Sequence, residues 1–196
     1  MTSIITGDII NSRNHSPNTW LDGLKNILNN FGQTPEHWEI YRGDSFQLEI
    51  DKKNALKTAL MIKAHMKQFK DIDVRLAIGI GNKSYKADHI TQSNGSAFVH
   101  SGECFENLKK NTLAIQSNNT NFDTIINIML GLGLLTMNTW TPTTATLMAL
   151  VLKHPDYNQK QLAKITNSTQ GNISQGLKRA GYDEIIKLLN YYVLNV

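Results

Sequence analysis

The sequence predicts an α+β fold, with a sheet and its helices in residues 1–121 and an all-helical region in residues 122–196. Up to residue 116, short runs with the alternating or β-branched pattern of strands are interleaved with segments whose apolar residues recur at helical spacing. After the Asn-rich segment 117–121, only helical patterns occur. A mixture of strands and helices followed by helices alone is typical of the α+β class.

Length and composition agree with this division. A chain of 196 residues suits one mid-sized domain and a small module, and 40% hydrophobic with 18% charged residues excludes a chain disordered throughout. The single cysteine, Cys104, cannot form an internal disulfide, and no Cys or His residues have zinc-ligand spacing. The chain begins with no basic, apolar leader. We therefore expect a cytoplasmic protein.

The first four elements form a strand, a helix and a hairpin. Residues 3–10 are apolar and β-branched, as in a buried strand. Residues 18–31 repeat apolar side chains at helical spacing and stop at Gly32. Two alternating runs, 38–40 and 46–50, flank the turn sequence Arg42-Gly43-Asp44, which indicates a β-hairpin.

A second helix over residues 53–69 leads to a strand at 74–81, whose glycines permit close approach of a ligand or another backbone. A helix at 96–109 and a last strand at 112–115 follow. The order is β-α-β-β-α-β-α-β. Its first six elements, β-α-β-β-α-β, are those of a ferredoxin-like split βαβ sheet, and we expect a sheet of mixed direction with helices packed on one face.

The remaining residues predict helices at 123–138 and 143–153 and three shorter helices after them. The most apolar stretch, 125–137, is interrupted by Asn127, Gly131 and Gly133 and is shorter than the roughly 20 residues that span a bilayer. We expect a buried helix here and no membrane association.

Two acids are candidates for metal binding. Asp8 lies near the end of the first strand and Asp44 in the hairpin turn, and in a β-α-β-β sheet these positions can be adjacent. Paired carboxylates are stable as anions when a cation lies between them, and such oxygen ligands suit Mg²⁺ with a nucleoside triphosphate. Ordinary turn and capping roles for both acids are the alternative.

These motifs resemble a known family of catalytic domains. The segments 4–10, 41–46, 74–81 and 95–99 are similar in order and spacing to the palm-type domains of class III nucleotidyl cyclases and diguanylate cyclases. The resemblance implies that Asp8 and Asp44 bind metal. It also implies that the phosphates of a nucleotide lie near Ile9, Ile10 and Asn11. Arg42, next to Gly43 in the turn, and Arg75 are the basic residues nearest these motifs and could bind phosphate as bidentate donors, with charges at the edge of a strand as the alternative.

The chain departs from the cyclase pattern at three positions. Ser45 stands where diguanylate cyclases have a second hairpin acid, and the later helix has His100 and Glu103 in place of the Asn and Arg that hold the triphosphate in cyclases. A carboxylate cannot replace arginine in binding phosphate. Separately, the full-length pattern, including Ile5-Thr6-Gly7-Asp8-Ile9, resembles the SatD-like family of bacterial proteins.

Residues 158–180 resemble a bacterial helix-turn-helix. Asn158 caps a short helix, Ala163 occupies the expected helix crossing, and Asn167 suits the left-handed turn position. Polar side chains then surround the next helix and could contact double-stranded DNA: Thr169, Gln170, Asn172, Ser174, Gln175, Lys178 and Arg179. A small helical bundle with a polar face is the alternative.

The charge distribution is compatible with this assignment. The net charge is +4, and residues from Thr141 onward hold six Lys or Arg against three Asp or Glu. We therefore expect a cytoplasmic transcriptional regulator that couples nucleotide binding to DNA binding. It would form a homodimer, through the helices at 123–138 and 183–194. The alternatives are an active Mg²⁺-dependent nucleotidyl cyclase or nucleotidyltransferase, and a scaffold that binds neither metal nor nucleotide.

Overall fold

The computed structural model describes all residues from 1 to 196 and contains five strands and eight α-helices. In the first 116 residues the elements are β1 (Thr2–Ile10), α1 (Pro17–Leu28), β2 (Trp38–Tyr41), β3 (Ser45–Asp51), α2 (Ala55–Met66), β4 (Asp73–Gly81), α3 (Ser96–Glu106) and β5 (Leu113–Gln116). The rest is helical: α4 (Thr120–Met137), α5 (Pro142–Lys153), α6 (Gln159–Ile165), α7 (Gln170–Ala180) and α8 (Tyr182–Asn195). The predicted α+β class is confirmed.

The five strands form one mixed sheet in the order β2-β3-β1-β4-β5. Strand β1 is central and runs antiparallel to both β3 and β4, whereas β5 lies parallel to β4. Helix α1 connects β1 to β2 across β3, and α2 connects β3 to β4 across β1. This crossed connectivity places the end of β1 beside the turn of the β2–β3 hairpin.

The sheet is covered on both faces. Helices α1 and α2 pack on one face against side chains such as Ile5 and Ile78. Helix α3 packs on the opposite face, against Ile4 and Ala77. The sequence predicted helices on one face only, and this prediction is wrong because the α3 segment returns across β4 and β1.

The glycines of β4 allow α3 to approach the sheet closely. A methyl group at Gly79 would lie 2.2 Å from the backbone oxygen of Ala97 and 2.2 Å from the backbone nitrogen of Ser101. At Gly81 it would lie 2.6 Å from the nitrogen of Ala97. The predicted close approach is therefore made by another backbone.

One hydrophobic core runs through both halves of the chain. A cluster of 43 buried residues extends from Ile5 in β1 to Tyr192 in α8. Helix α5 packs against α2, and the Tyr192 hydroxyl donates a 2.6 Å hydrogen bond to the backbone oxygen of Lys52. The helical region is thus packed directly on the α1 and α2 side of the sheet.

Helix α4 has two apolar faces. Its core face includes Phe122, Ile126 and Leu130, while a second face leaves large side chains in contact with solvent. By length and composition alone it is the one helix able to cross a membrane, and 28% of it is buried. The prediction of a buried helix is therefore correct for only one side of α4.

An ionic cluster joins the sheet region to the end of α4. The ammonium of Lys63, whose side chain is fully buried, donates hydrogen bonds of 2.9 and 3.1 Å to the carboxylate of Asp73. Lys67 lies 3.1 Å from the same carboxylate and donates to the backbone oxygen of Asn138. Lys63 also donates to Thr112. Burial lowers the pKa of Lys63, and the neighbouring Asp73 opposes this effect.

Candidate functional site

The end of β1 and the β2–β3 turn form the first candidate site, which we call the hairpin edge (residues 8–12, 41–45 and Arg75). Strand register places Asp8 opposite Ser45 on β3 and opposite Arg75 on β4. The backbone N–H of Ile9 donates a 3.2 Å hydrogen bond to the backbone oxygen of Asp44. The central strand and the turn are therefore held together, as the topology argument expected.

Asp8 is paired with Arg75. The Arg75 Nε donates a 2.9 Å hydrogen bond to Oδ1 of Asp8, and a terminal guanidinium nitrogen donates to Oδ2. The guanidinium also lies over the ring of Phe105, 5.2 Å from its centroid. The hydrogen bond with Asp8 raises the pKa of Arg75, and the charges of Asp8 and Asp44 add to this effect.

Asp44 has a different partner. The hydroxyl of Ser12 donates a 2.5 Å hydrogen bond to Oδ2 of Asp44. Burial raises the pKa of the neighbouring Tyr41, and the charge of Asp8 acts in the same direction. The structure thus brings Asp8, Asp44 and Arg75 to one edge of the sheet, with Tyr41 and Ser12 beside them.

The remaining predicted nucleotide contacts lie on the rim of this edge. Ile10 is paired with Asp73 across β1 and β4, so it belongs to the sheet ladder. Asn11 follows it in a left-handed conformation, with φ of 64°, and its side chain donates 2.8 Å to the backbone oxygen of Asp71. Arg42 and Gly43 form the exposed tip of the hairpin, both at positive φ, and the space around Gly43 is open. Arg42 makes no ion pair.

The donor set at the hairpin edge does not fit a resident Mg²⁺ ion. Both oxygens of Asp8 already accept hydrogen bonds from Arg75, which supplies the positive charge that a metal would supply. Nowhere in the chain do three His, Cys, Asp or Glu side chains come together as possible metal ligands. Mg²⁺ carried in with a nucleotide remains a prediction.

The second candidate site is the pair of helices α6 and α7. The side-chain oxygen of Asn158 caps α6 by accepting from the backbone nitrogens of Lys160 and Gln161. The side-chain oxygen of Gln161 accepts from the backbone nitrogen of Asn158, which completes a capping box. Asn167, in the turn between the helices, has φ of 49°, so the left-handed conformation predicted from the sequence is confirmed. Ala163 is buried, as the expected crossing requires.

Helix α7 separates an apolar side from a polar side. Ile173, Gly176 and Leu177 are buried, and a methyl group at Gly176 would lie 2.8 Å from the Leu147 side chain of α5. The Thr169 hydroxyl caps the helix by accepting from the Asn172 nitrogen. All seven residues that the sequence assigned to DNA contact are exposed: Thr169, Gln170, Asn172, Ser174, Gln175, Lys178 and Arg179.

The structure adds a groove that sequence reasoning missed. A space of about 870 Å³ lies between α5 and α7 and is lined by Thr143, Thr146, Lys153, Asn172 and Arg179, with no acidic residue. Asn172 and Arg179 therefore lie along the groove. A second space of about 540 Å³ lies on the other side of α7, beside Ser174 and Lys178. No signal in the sequence identifies these grooves, because they depend on how α5 and α7 cross.

The other reactive side chains of the chain have structural surroundings. Burial raises the pKa of the Cys104 thiol to about 12, so the thiol stays protonated and is a poor nucleophile. His100 lies 2.7 Å from the backbone oxygen of Ile80, and Glu103 accepts from the side chain of Gln116. These two residues, which the sequence comparison aligned with phosphate-binding positions of cyclases, are thus engaged within the fold.

Comparison with known proteins gives one match. A family model described as the SatD family matches residues 2–189. The chain belongs to the SatD family. The match extends through the sheet and through α4 to α7, so it covers both candidate sites of this SatD protein. No curated protein and no solved structure matches the chain.

Proposed function

We propose that this SatD protein is a cytoplasmic transcriptional regulator whose α6–α7 pair binds double-stranded DNA as a helix-turn-helix. The observation that carries the proposal is the two-sided character of α7, in which an apolar side packs on α5 and every polar side chain of the opposite side is exposed. The short turn through a left-handed Asn167 supports it. Such a pair can place its second helix in the major groove.

The surroundings of α7 support contact with a phosphate backbone. The groove between α5 and α7 has two cations, Lys153 and Arg179, and several hydroxyl and amide groups, without a carboxylate to repel phosphate. Lys178 is exposed on the other side of the helix. The side-chain amides of Gln170 and Gln175 can each form hydrogen bonds with the edge of an adenine base. The arrangement combines base-reading and backbone-contacting groups on one helix.

We expect the double variant Lys178→Ala, Arg179→Ala to bind DNA at least tenfold more weakly at low salt. The probe is a fluorescein-labelled random-sequence duplex of about 30 base pairs, measured by anisotropy over a salt series. Because each lost phosphate contact reduces the salt slope by about one, the slope should fall by about two. The matched control, Lys109→Ala with Lys110→Ala, removes the same charge from exposed positions after α3.

If the two double variants weakened DNA binding equally, the DNA would be attracted only by the net charge of the protein, and the proposal would be wrong. Wild-type binding that does not change with salt would also contradict the proposal. Melting temperatures of both variants should equal that of the wild type, because all four side chains are exposed.

We further propose that the hairpin edge binds the phosphates of a nucleotide. The ferredoxin-like strand connectivity, with β1 between β3 and β4, supports the cyclase-like interpretation of this edge. Arg42 is exposed and unpaired at the hairpin tip, and Arg75 lies on β4 with its guanidinium paired to Asp8 at the same hairpin edge. Because guanidinium groups bind phosphate oxygens in a bidentate manner, these two residues are the phosphate ligands we propose.

We expect ATP or GTP to raise the melting temperature of the wild-type protein and to do so much less for Arg42→Ala. In the absence of Mg²⁺, the nucleotide should raise the melting temperature of Asp8→Asn more than that of the wild type, because the substitution releases Arg75 from its ion pair. Lys109→Ala serves as the charge-matched control. A nucleotide effect that is unchanged in Arg42→Ala would contradict the proposal.

The same measurement separates the sensor from the enzyme. A nucleotide effect that requires Mg²⁺ and disappears in Asp8→Asn would favour the alternative, a nucleotidyl cyclase or nucleotidyltransferase, and formation of a cyclic or pyrophosphate product would establish it. The pairing of Asp8 with Arg75 and the serine at position 45 favour binding without turnover.

A further inference from the structure

Helix α4 carries an exposed apolar stripe. Ile125, Ile128, Leu132 and Leu135 form this α4 stripe, with 47%, 61%, 66% and 73% of their surfaces exposed. Their spacing of three, four and three residues is the a/d spacing of a heptad, so they lie in line along the helix. The stripe lies on the opposite side from Ile126 and Leu130, which pack into the core. A soluble chain rarely leaves such a row without a partner.

We propose that the α4 stripe is the interface at which a second copy of this chain binds. The stripe can pair with itself, because a twofold axis through its centre brings the same four side chains together from both copies. The exposed neighbour Thr124 is uncharged, and Asp123 is the only charged residue of α4. Self-pairing therefore brings no like charges of α4 together.

Asp123 does not interfere with this pairing. Its carboxylate accepts hydrogen bonds of 2.7 Å from both the backbone nitrogen and the hydroxyl of Ser117, so it is used to fix the start of the helix. A charged partner protein would gain nothing from a surface without charge. The surface chemistry therefore favours a copy with the same uncharged stripe.

The surface beside the stripe supplies room for side chains of the partner. A groove of about 480 Å³ runs between α4 and the start of α8, and its apolar part is lined by Met129, Leu132, Gly133, Ile185 and Leu188. The end of the groove at α7 is charged, because Lys178, Arg179 and Glu184 line it there, so we expect the partner to occupy only the apolar part. Side chains from a facing helix insert into such spaces in helical bundles. In the dimer, Leu132 and Leu135 of each copy would enter the groove of the other.

The size of the surface also matches a dimer. Eighteen residues give α4 a length of about 27 Å. One helix face of this length supplies only part of the roughly 800 Å² that each partner of a stable complex buries. The groove and the adjoining face of α8 extend the contact, so α4 and α8 of both copies together form a four-helix arrangement.

The experiment measures the mass of the full chain by light scattering after size-exclusion chromatography. We expect the wild-type protein to elute at twice the chain mass of 22.0 kDa, and Leu132→Glu with Leu135→Glu to elute at the single-chain mass. The control, Val99→Glu, places a carboxylate on an exposed apolar residue of α3 and should stay dimeric. Unchanged melting curves under dissociating conditions would show that the variant is folded.

A second variant tests the geometry directly. Leu132→Cys should form a disulfide-linked dimer under mild oxidation, because the only other cysteine, Cys104, is buried. Three results would overturn the proposal: a wild-type monomer at all concentrations, a dimer that survives the double glutamate substitution, or a monomer that binds phosphatidylcholine vesicles through the stripe. The last result would identify a lipid surface as the occupant.

Discussion

Replacement of Gly79 with alanine is expected to destabilise the protein by about 3 kcal/mol or more. The new methyl group would lie 2.2 Å from backbone atoms of both Ala97 and Ser101. Since these atoms belong to the packed helix α3, they cannot rotate away as the end of a flexible side chain can. Urea unfolding measured by circular dichroism will give the loss.

The matched control for this substitution is Gly102→Ala. Gly102 lies in helix α3 itself, and nothing lies within 4 Å of a methyl group placed there. Alanine is the better helix former, so this variant should gain about 0.5–1 kcal/mol. An equal change in the free energy of unfolding for Gly79→Ala and Gly102→Ala would show that α3 does not pack closely against β4.

Asp73→Asn is expected to reduce stability by about 3 kcal/mol, because it leaves two cations without their common anion. Lys63 is fully buried and Lys67 is 9% exposed, so water cannot replace the carboxylate that both contact. The urea midpoint should fall with no change in the denaturant slope, as expected when the compactness of neither state changes.

Lys63→Met provides the comparison for Asp73. Without Lys63, the carboxylate of Asp73 keeps its ion pair with Lys67, so no buried charge is stranded. The methionine also fills much of the space that the lysine occupied. We therefore expect a clearly smaller loss than for Asp73→Asn. A larger loss for Lys63→Met would show that the lysine stem, and not charge balance, stabilises this region.

The sequence predicted most elements and several local conformations correctly. Strand and helix periodicities located all five strands, and the left-handed turn at Asn167 followed from the preference of asparagine for that conformation. The close approach at Gly79 followed from glycines inside a strand pattern. These features depend on the conformational preferences of residues that are close together in the sequence, and these preferences are visible in one sequence.

Features that depend on distant contacts could not be predicted in this way. Asp8 and Arg75 are 67 residues apart in the sequence. Their pairing follows from the register between β1 and β4. The burial of Lys63 follows from the arrangement of α2 beside β4, which no local pattern in the sequence indicates. The two-faced character of α4 was missed because Ile126 and Ile128 are equally apolar, although only one of them reaches the core.

The continuous interior that joins β1 to α8 limits how information can pass through the molecule. The hairpin edge and α7 belong to regions that share this interior, so neither can move without disturbing packed side chains. Under the predicted coupling of nucleotide binding to DNA binding, a signal would pass as small displacements through α2 and α5, where the sheet region and the helical region are in direct contact. We therefore expect small rearrangements of side-chain packing in a shared core, and no hinge motion between separate domains.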